Sequence, residues 1–506
     1  MILFVALLLG SRVPMRATRR SVAAYARGRR SSRPPSELIG SEHELRVGNI
    51  TNLGDGVARL ADGRVVLVPF TLGDELVRAR IYRDAGSYLA ADLVDVLEPS
   101  PERIAPRCEH FGTCGGCQYQ HMPLVTQRAW KRRHVIDSFA RIGGYDARVD
   151  LEALVRNTAG GDAAHAWHYR SKITPHHEAP RRGDASYDIG AIGFREATRR
   201  RLVDVTNCAL ATPAINAALP AARDAARARA AERARRADAA RARGDKRRPK
   251  GATLLLRDAD GGVETDPREH VRSTIAGVDF RFLAGEFFQN NPSALPLLLA
   301  HVAARASAEG ALTHLVDAYC GGGFFALGTA SKFSRVAGVE ISEDNVIAAR
   351  ANAERNGVRH VTFEAGDAAA LFAPLVNGGG DDSDAAPFPP AETCVVIDPP
   401  RKGCDEAFLD QLFDFAPRRV VYVSCDPSTQ ARDAAAFLSA GYELREVLPF
   451  DLFPQTRHIE AVAVFDRRAP GDAPLPLGSD AHLAEPLGSD VATNSGPGGT
   501  SDGARP

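Results

Sequence analysis

Beyond about residue 310 the chain alternates short apolar runs with polar-faced stretches. LTHLVDAYCGGG, SRVAGVEIS, HVTFEAGD, TCVVIDPP and RRVVYVSCDP are five runs of strand length, and helical segments such as SEDNVIAARANAERNG lie between them. Continuous apolar strands separated by helices predict a parallel sheet covered on both faces. Two later runs, YELREVLPFDLF and HIEAVAVFD, predict an antiparallel hairpin that closes this α/β domain, placed at 291–466.

The pattern is different before it. Residues 43–98 carry four or five short runs with GDG, DGR and GDE turns between them, which predicts a small β-barrel of the oligonucleotide-binding type over 41–100. A central α+β domain is expected over 101–290. Within it the Ala/Arg run at 217–250 is a strong helix former with little apolar face, read as an exposed insertion. Residues 377–390 read as a loop insertion. The tail, 467–506, repeats PLGSD and is rich in Gly, Pro, Ser and Asp, so it is expected to be disordered. Residues 1–40 are set aside as a disordered or targeting extension. Their apolar start, MILFVALLLG, is too short to span a bilayer.

Composition narrows the class. The 506 residues are 44% hydrophobic and 25% charged with zero formal net charge, which fits a soluble, cytoplasmic globular protein without a membrane partner. Charge is uneven, however. Residues 222–250 hold twelve Lys/Arg against four Asp/Glu, and local basic stretches of this kind suit a polyanion. Eight cysteines are too few for a disulfide scaffold in a chain this long. Three of them cluster in CEHFGTCGGCQYQH: Cys108, Cys114 and Cys117. With Cys208 of VTNCAL they make a four-thiolate set that suits either zinc or a [4Fe–4S] cluster, and the spacing does not separate the two.

The turn DAYCGGGFF follows the first strand of the sheet and allows close backbone approach to a ligand. It is no Walker loop, and its GGG departs from the usual dinucleotide spacing. Acids end the next three strands: Glu340, Asp367 and Asp398. Glu340 suits paired ribose hydroxyls, Asp367 an exocyclic amine and Asp398 a cationic group. This set favours an adenosine ligand without a pyrophosphate, and S-adenosylmethionine fits.

The fifth strand ends in VSCDPSTQARD, which sets Cys425 at the same crevice. A thiolate there can attack an electrophilic carbon. If the substrate is a pyrimidine, addition at carbon 6 makes carbon 5 of uracil nucleophilic enough to accept a methyl group. A carboxylate must then take the carbon 5 proton. Glu460 of RHIEAV can be that group if its strand enters beside the fifth.

FFQNNP, DAYCGGGFF, DPPRKG, VSCDPSTQARD and RHIEAV, in this order, strongly resemble the RNA uracil-5-methyltransferases over about residues 43–466. The resemblance implies a class I (Rossmann-like) methyltransferase sheet behind a TRAM barrel that binds RNA. By it Cys425 is the nucleophile and Glu460 the proton acceptor, while Gln289, Tyr319, Glu340, Asp367 and Asp398 contact S-adenosylmethionine. It favours [4Fe–4S] over zinc at Cys108, Cys114, Cys117 and Cys208. It also favours a monomeric enzyme of large-subunit (23S) rRNA over one of tRNA. One position departs from the family: Phe324 stands where Asn is common. A Pro-Cys nucleophile motif and a Pro-Pro-aromatic motif are both absent, which disfavours cytosine-5 and amino-group methylation.

Overall fold

The computed structural model describes residues 37–145, 149–162, 164–181, 186–241, 250–366, 387–467 and 473–484. The first sheet has six strands: β1 (Glu42–Arg46), β2 (Asn49–Ile50), β3 (Asp55–Arg59), β4 (Val65–Pro69), β5 (Leu76–Asp84) and β6 (Leu89–Glu98), in the order β1-β5-β6-β4-β3-β2. Alternate residues such as Val66, Val68, Val77, Ala79 and Ile81 point into one apolar core, as period-two patterning requires.

Helix α1 (Leu124–Arg141) follows the cysteine-rich turn, and the short α2 (Leu151–Leu154) follows α1. The central region adds two small sheets: one of β8 (His176–His177), β9 (Ile192–Arg195), β10 (Leu202–Asp204) and β11 (Ala252–Thr253), and one of β7 (Lys172–Ile173), β12 (Leu256–Ala259) and β13 (Gly262–Glu264). Helix α3 (Pro213–Arg241) lies against them. The expectation of an exposed insertion is corrected for 217–241. Ile215, Leu219, Ala226 and Ala230 are buried in one cluster with Ile173, Ile192 and Leu256. Arg223, 5% exposed, forks onto both carboxylate oxygens of Asp204. The rest of the run, 242–249, lies outside the described residues.

The large sheet has seven strands. β16 (His314–Ala318), β17 (Arg335–Glu340), β18 (Val361–Ala365), β19 (Thr393–Ile397) and β20 (Arg419–Ser424) are parallel. β21 (Tyr442–Phe450) and β22 (Glu460–Arg467) complete it, with β22 antiparallel between β20 and β21. The order is β18-β17-β16-β19-β20-β22-β21. Around it pack helices α4 (Leu295–Ser307), α5 (Phe324–Thr329), α6 (Glu343–Arg355), α7 (Glu406–Phe415) and α8 (Pro427–Ser439). The α/β class and the closing hairpin are as expected.

Two boundaries need correction. The hairpin β14–β15 (His270–Ile275 and Val278–Leu283) gives Val271, Ile275, Phe280 and Phe282 to the same core as α4 and the sheet, and α1 packs Val135, Ile136 and Phe139 on its other side. The core of the large sheet is therefore built partly from residues before 291. The expectation of a disordered tail is corrected for 473–484; 468–472 and 485–506 lie outside the described residues. Over 473–484 the tail lies on α4, where the fully buried Arg305 donates to the carbonyls of Leu477 and Gly478 and pairs with Asp480 and Glu446. Among the described residues no helix is long and apolar enough to cross a membrane.

Candidate active site

Two cavities lie at the carboxyl ends of the parallel strands. The larger, about 590 Å³, is lined by Gln289, Tyr319, Gly321, Glu340, Gly366 and Asp398 among others. Four of the five residues expected at the cofactor therefore share one cavity. The fifth, Asp367, lies outside the described residues, although its neighbour Gly366 reaches the wall. The turn after β16 is shaped by backbone conformation: Tyr319 has φ +66° and Gly323 φ +89°. A Cβ on Gly323 would stand 3.0 Å from the Phe363 ring, so the turn needs glycine both for its conformation and for space. Glu340 braces it, accepting from the amides of Gly321 (3.1 Å) and Ser342 (3.0 Å).

Phe324 has joined an aromatic wall. Its ring lies 5.0 Å from Phe325, 5.7 Å from Phe280 and 6.0 Å from Phe288, and Phe288 stacks on Phe282 at 4.1 Å. Here the wall of the larger cavity is built by ring packing.

The second cavity, about 220 Å³, is lined by Asn52, His134, Arg401, Cys425 and His458. Cys425 occupies a tight turn. Ser424 ends β20, and Asp426 caps α8, accepting from the Ser428 amide at 3.0 Å. Ser424 opposes Ala461 in the last pair of the β20–β22 ladder, and Cys425 and Glu460 are the residues just beyond that pair. Sequence and register together bring the thiol and the carboxylate side by side.

The electrostatics follow from this crowding. Burial pushes the Cys425 thiol up to about 11, helped by the charges of Glu460 and Asp398, while a hydrogen bond and the charge from Arg401 pull it back. Burial and Asp398 hold Glu460 well above the usual carboxylate range, again opposed by Arg401. Burial raises Asp398 to about 7. Beneath the turn Asp317 accepts from the Ala326 amide at 2.7 Å, and burial pushes it up to about 8.

These raised values set a pH dependence of stability. The folded chain holds the Asp317 proton more tightly than the unfolded chain, whose value lies near 4. The stabilisation is complete below pH 4 and is lost as pH rises to about 8, with a slope of about 1.4 kcal/mol per unit for one linked proton. Asp317→Asn should therefore gain stability relative to wild type as pH rises from 4 to 8. Thermal midpoints of the two proteins at several pH values check this; a constant difference would refute it.

Sequence reasoning missed Arg401. It stands three residues after Asp398, and a cation after Asp-Pro-Pro reads as a solvated surface charge. The turn it belongs to separates the two cavities: Asp398, Pro400 and Lys402 face the larger one and Arg401 the smaller.

Cys108, Cys114, Cys117 and Cys208 line one cavity of about 260 Å³, with His176 and His458 also in its wall. The Gly116 amide points at the Cys114 sulfur (3.5 Å). Burial raises the Cys117 thiol to about 12, with further contributions from the other three sulfurs. Four such thiols facing one another suit a positively charged inorganic centre, because metal binding takes them as thiolates.

A family model described as tRNA (Uracil-5-)-methyltransferase matches residues 268–468, and one described as TRAM domain matches 37–94. A tRNA (uracil(54)-C(5))-methyltransferase of Schizosaccharomyces pombe is 37% identical over 83% of this chain and 77% of its own length. A 23S rRNA (uracil(1939)-C(5))-methyltransferase of Shewanella baltica is 30% identical over 85% of this chain and 97% of its own. In fold, the chain resembles the crystal structure of a Pyrococcus abyssi tRNA (uracil-54, C5)-methyltransferase in complex with S-adenosyl-L-homocysteine. That likeness has a TM-score of 0.57 at 20% identity and covers 84% of this chain and all of the other.

Proposed function

Since the chain belongs to the tRNA (uracil-5-)-methyltransferase family, and so transfers a methyl group from S-adenosylmethionine to carbon 5 of a uridine in RNA, we propose that Cys425 and Glu460 carry that reaction. The observation behind this reading is the single turn, 398–402, that presents Asp398 to one cavity and Arg401 to the other. The sites read for methyl donor and target base are thus both lined by this turn, beside which carbon 5 must reach the methyl group directly.

In this reading Gln289, Tyr319, Glu340, Asp367 and Asp398 hold the donor, which when bound supplies an electrophilic sulfonium methyl. Cys425 gives up its proton to solvent and its Sγ bonds to carbon 6 of the uracil. The electron pair of the 5,6 double bond moves onto carbon 5 and the carbon 4 oxygen, beside the Arg401 cation. Carbon 5 takes the methyl group, and the sulfonium keeps the bonding pair as a neutral thioether. Glu460 then accepts the carbon 5 proton, the double bond re-forms, and Cys425 leaves as thiolate. Glu460 takes that step in its ionised form, which the charge of Arg401 favours.

The RNA has a route to the site. A cleft of about 640 Å³ between the first sheet and the cysteine loop is lined by Tyr82, Tyr88 and Phe194 together with Arg83, Arg195 and Arg457. Leu53 and Arg457 also line the cavity of Cys425. Rings and guanidinium groups in one cleft suit stacked bases and phosphates.

The four cysteines support a [4Fe–4S] cluster in this reading. A single zinc would draw its sulfurs to within about 3.8 Å of one another. The four thiols instead line one cavity of about 260 Å³, room for a centre larger than a single ion. For the target, the higher identity to a tRNA enzyme supports a tRNA uridine, whereas the pairing of a TRAM domain with four cysteines supports 23S rRNA. We place tRNA first. Mapping 5-methyluridine in both RNAs from a deletion strain tests this. The mark should vanish from tRNA and return with the wild-type chain but not with Cys425→Ala. A loss confined to rRNA would reverse the assignment, and no loss in either would refute it.

A further inference from the structure

The loop that leads into Glu460 is held largely from outside its own sheet. Between β21 and β22 its polar groups are taken up by the segment just after Cys117. The amides of Gln118 and Tyr119 both donate to the Gln455 carbonyl, at 3.1 and 3.0 Å. The Gln118 side chain spans two loops. Its nitrogen donates to the carbonyl of Gly115 (2.8 Å), between Cys114 and Cys117, and its oxygen accepts from the Arg457 amide (3.2 Å). Gln127 accepts from the Gln455 amide (2.8 Å) and donates to its side-chain oxygen (3.0 Å). Gln455 itself is 4% exposed with φ +69°, a conformation that a non-glycine residue keeps only when its surroundings impose it. Three residues on, His458 lines both the four-cysteine cavity and the cavity of Cys425.

We infer that Gln118 is a positioning residue that ties the four-cysteine loop to the loop presenting Arg457, His458 and Glu460, so that the state of the cysteine site governs proton removal from carbon 5. This rests on Glu460 being the proton acceptor. Cys425 is placed independently, by β20 and the cap of α8. A displaced 455–459 loop loosens one wall of the Cys425 cavity but leaves the thiol in position, so addition and methyl transfer slow less than the last step. The chain then stays bonded through Sγ to carbon 6 of the methylated base.

The test uses the full-length protein with uridine-containing RNA and S-adenosylmethionine, read on denaturing gels. Gln118→Ala should lower turnover about tenfold or more and raise the denaturation-resistant protein–RNA adduct several-fold above wild type, as Glu460→Gln should. Wild-type protein stripped at the cysteine site with a chelator should show the same rise, with faster amide exchange at 455–459. If turnover and adduct fall together, Gln118 matters only for folding and the inference is overturned. Unchanged behaviour of Gln118→Ala also overturns it. If Glu460→Gln builds no adduct, the role given to Glu460 fails; if it does and Gln118→Ala does not, only the link fails.

Discussion

Cys425→Ala is expected to abolish methyl transfer, lowering turnover on the order of 10⁴-fold or more, as loss of a covalent nucleophile does. Without the thiol, carbon 5 of uracil is too electron-poor to attack the methyl group. Cofactor affinity should change little, because Cys425 lines the smaller cavity and not the one that holds Glu340 and Asp398. The structural cost should also be small: Asp426 caps α8 with its own side chain and does not depend on its neighbour. With 5-fluorouridine RNA, wild type should form an adduct that survives denaturation, since carbon 5 then carries no removable proton. Cys425→Ala should form none. An alanine variant that retains even a hundredth of wild-type turnover would remove the covalent route.

The second large effect is on stability. Lys131 of α1 and Asp451 beyond β21 are both fully buried, with Nζ 2.5 Å from Oδ1. Burial pushes the lysine down, and Asp451 is what supports its charge. Lys131→Met would strand the carboxylate with only Arg128, 3.6 Å away. Breaking one half of a buried pair costs about 3–5 kcal/mol, while replacing both halves with apolar groups is often neutral. Lys131→Met should thus unfold at clearly lower denaturant, and Lys131→Met/Asp451→Leu should recover at least half of the loss. Equal destabilisation of the single and double variants would mean that shape, not charge, sets the cost. Because Lys131 also donates to the Phe453 carbonyl at 3.1 Å, the single variant should loosen the same loop that Gln118 holds.

The sequence was most legible where one local rule dominated. Unbroken apolar runs such as 420–423, in a strand buried at every position, announce interior parallel strands, and a cysteine at the end of one marks the crevice. The α3 helix was misread because alanine contributes little to a hydrophobic pattern. Ala226, Ala230 and Ala234 recur at helical spacing and are all buried, yet the run reads as charged and exposed. Buried Arg223 adds to this, since its partner Asp204 lies on a different element. The tail failed for a related reason. Its composition is that of a disordered segment, and what orders 473–484 is Arg305, 175 residues from Asp480. Arg401 was missed because its meaning depends on Cys425 and Glu460, which only the fold brings to it.

The bonds between Gln127 and Gln455 join residues 328 positions apart. At about 5–20 residues per second on the ribosome, roughly 16–66 s pass between synthesis of one and of the other. During that interval the first sheet and the turn with Cys108, Cys114 and Cys117 have emerged, while the loop that will lie against them does not yet exist. Cys208 follows well before residue 455. The four thiols are therefore all available to be filled while one wall of their cavity, where His458 will stand, is still missing. Order of synthesis alone would let the cysteine site mature first and the catalytic pocket close over it last.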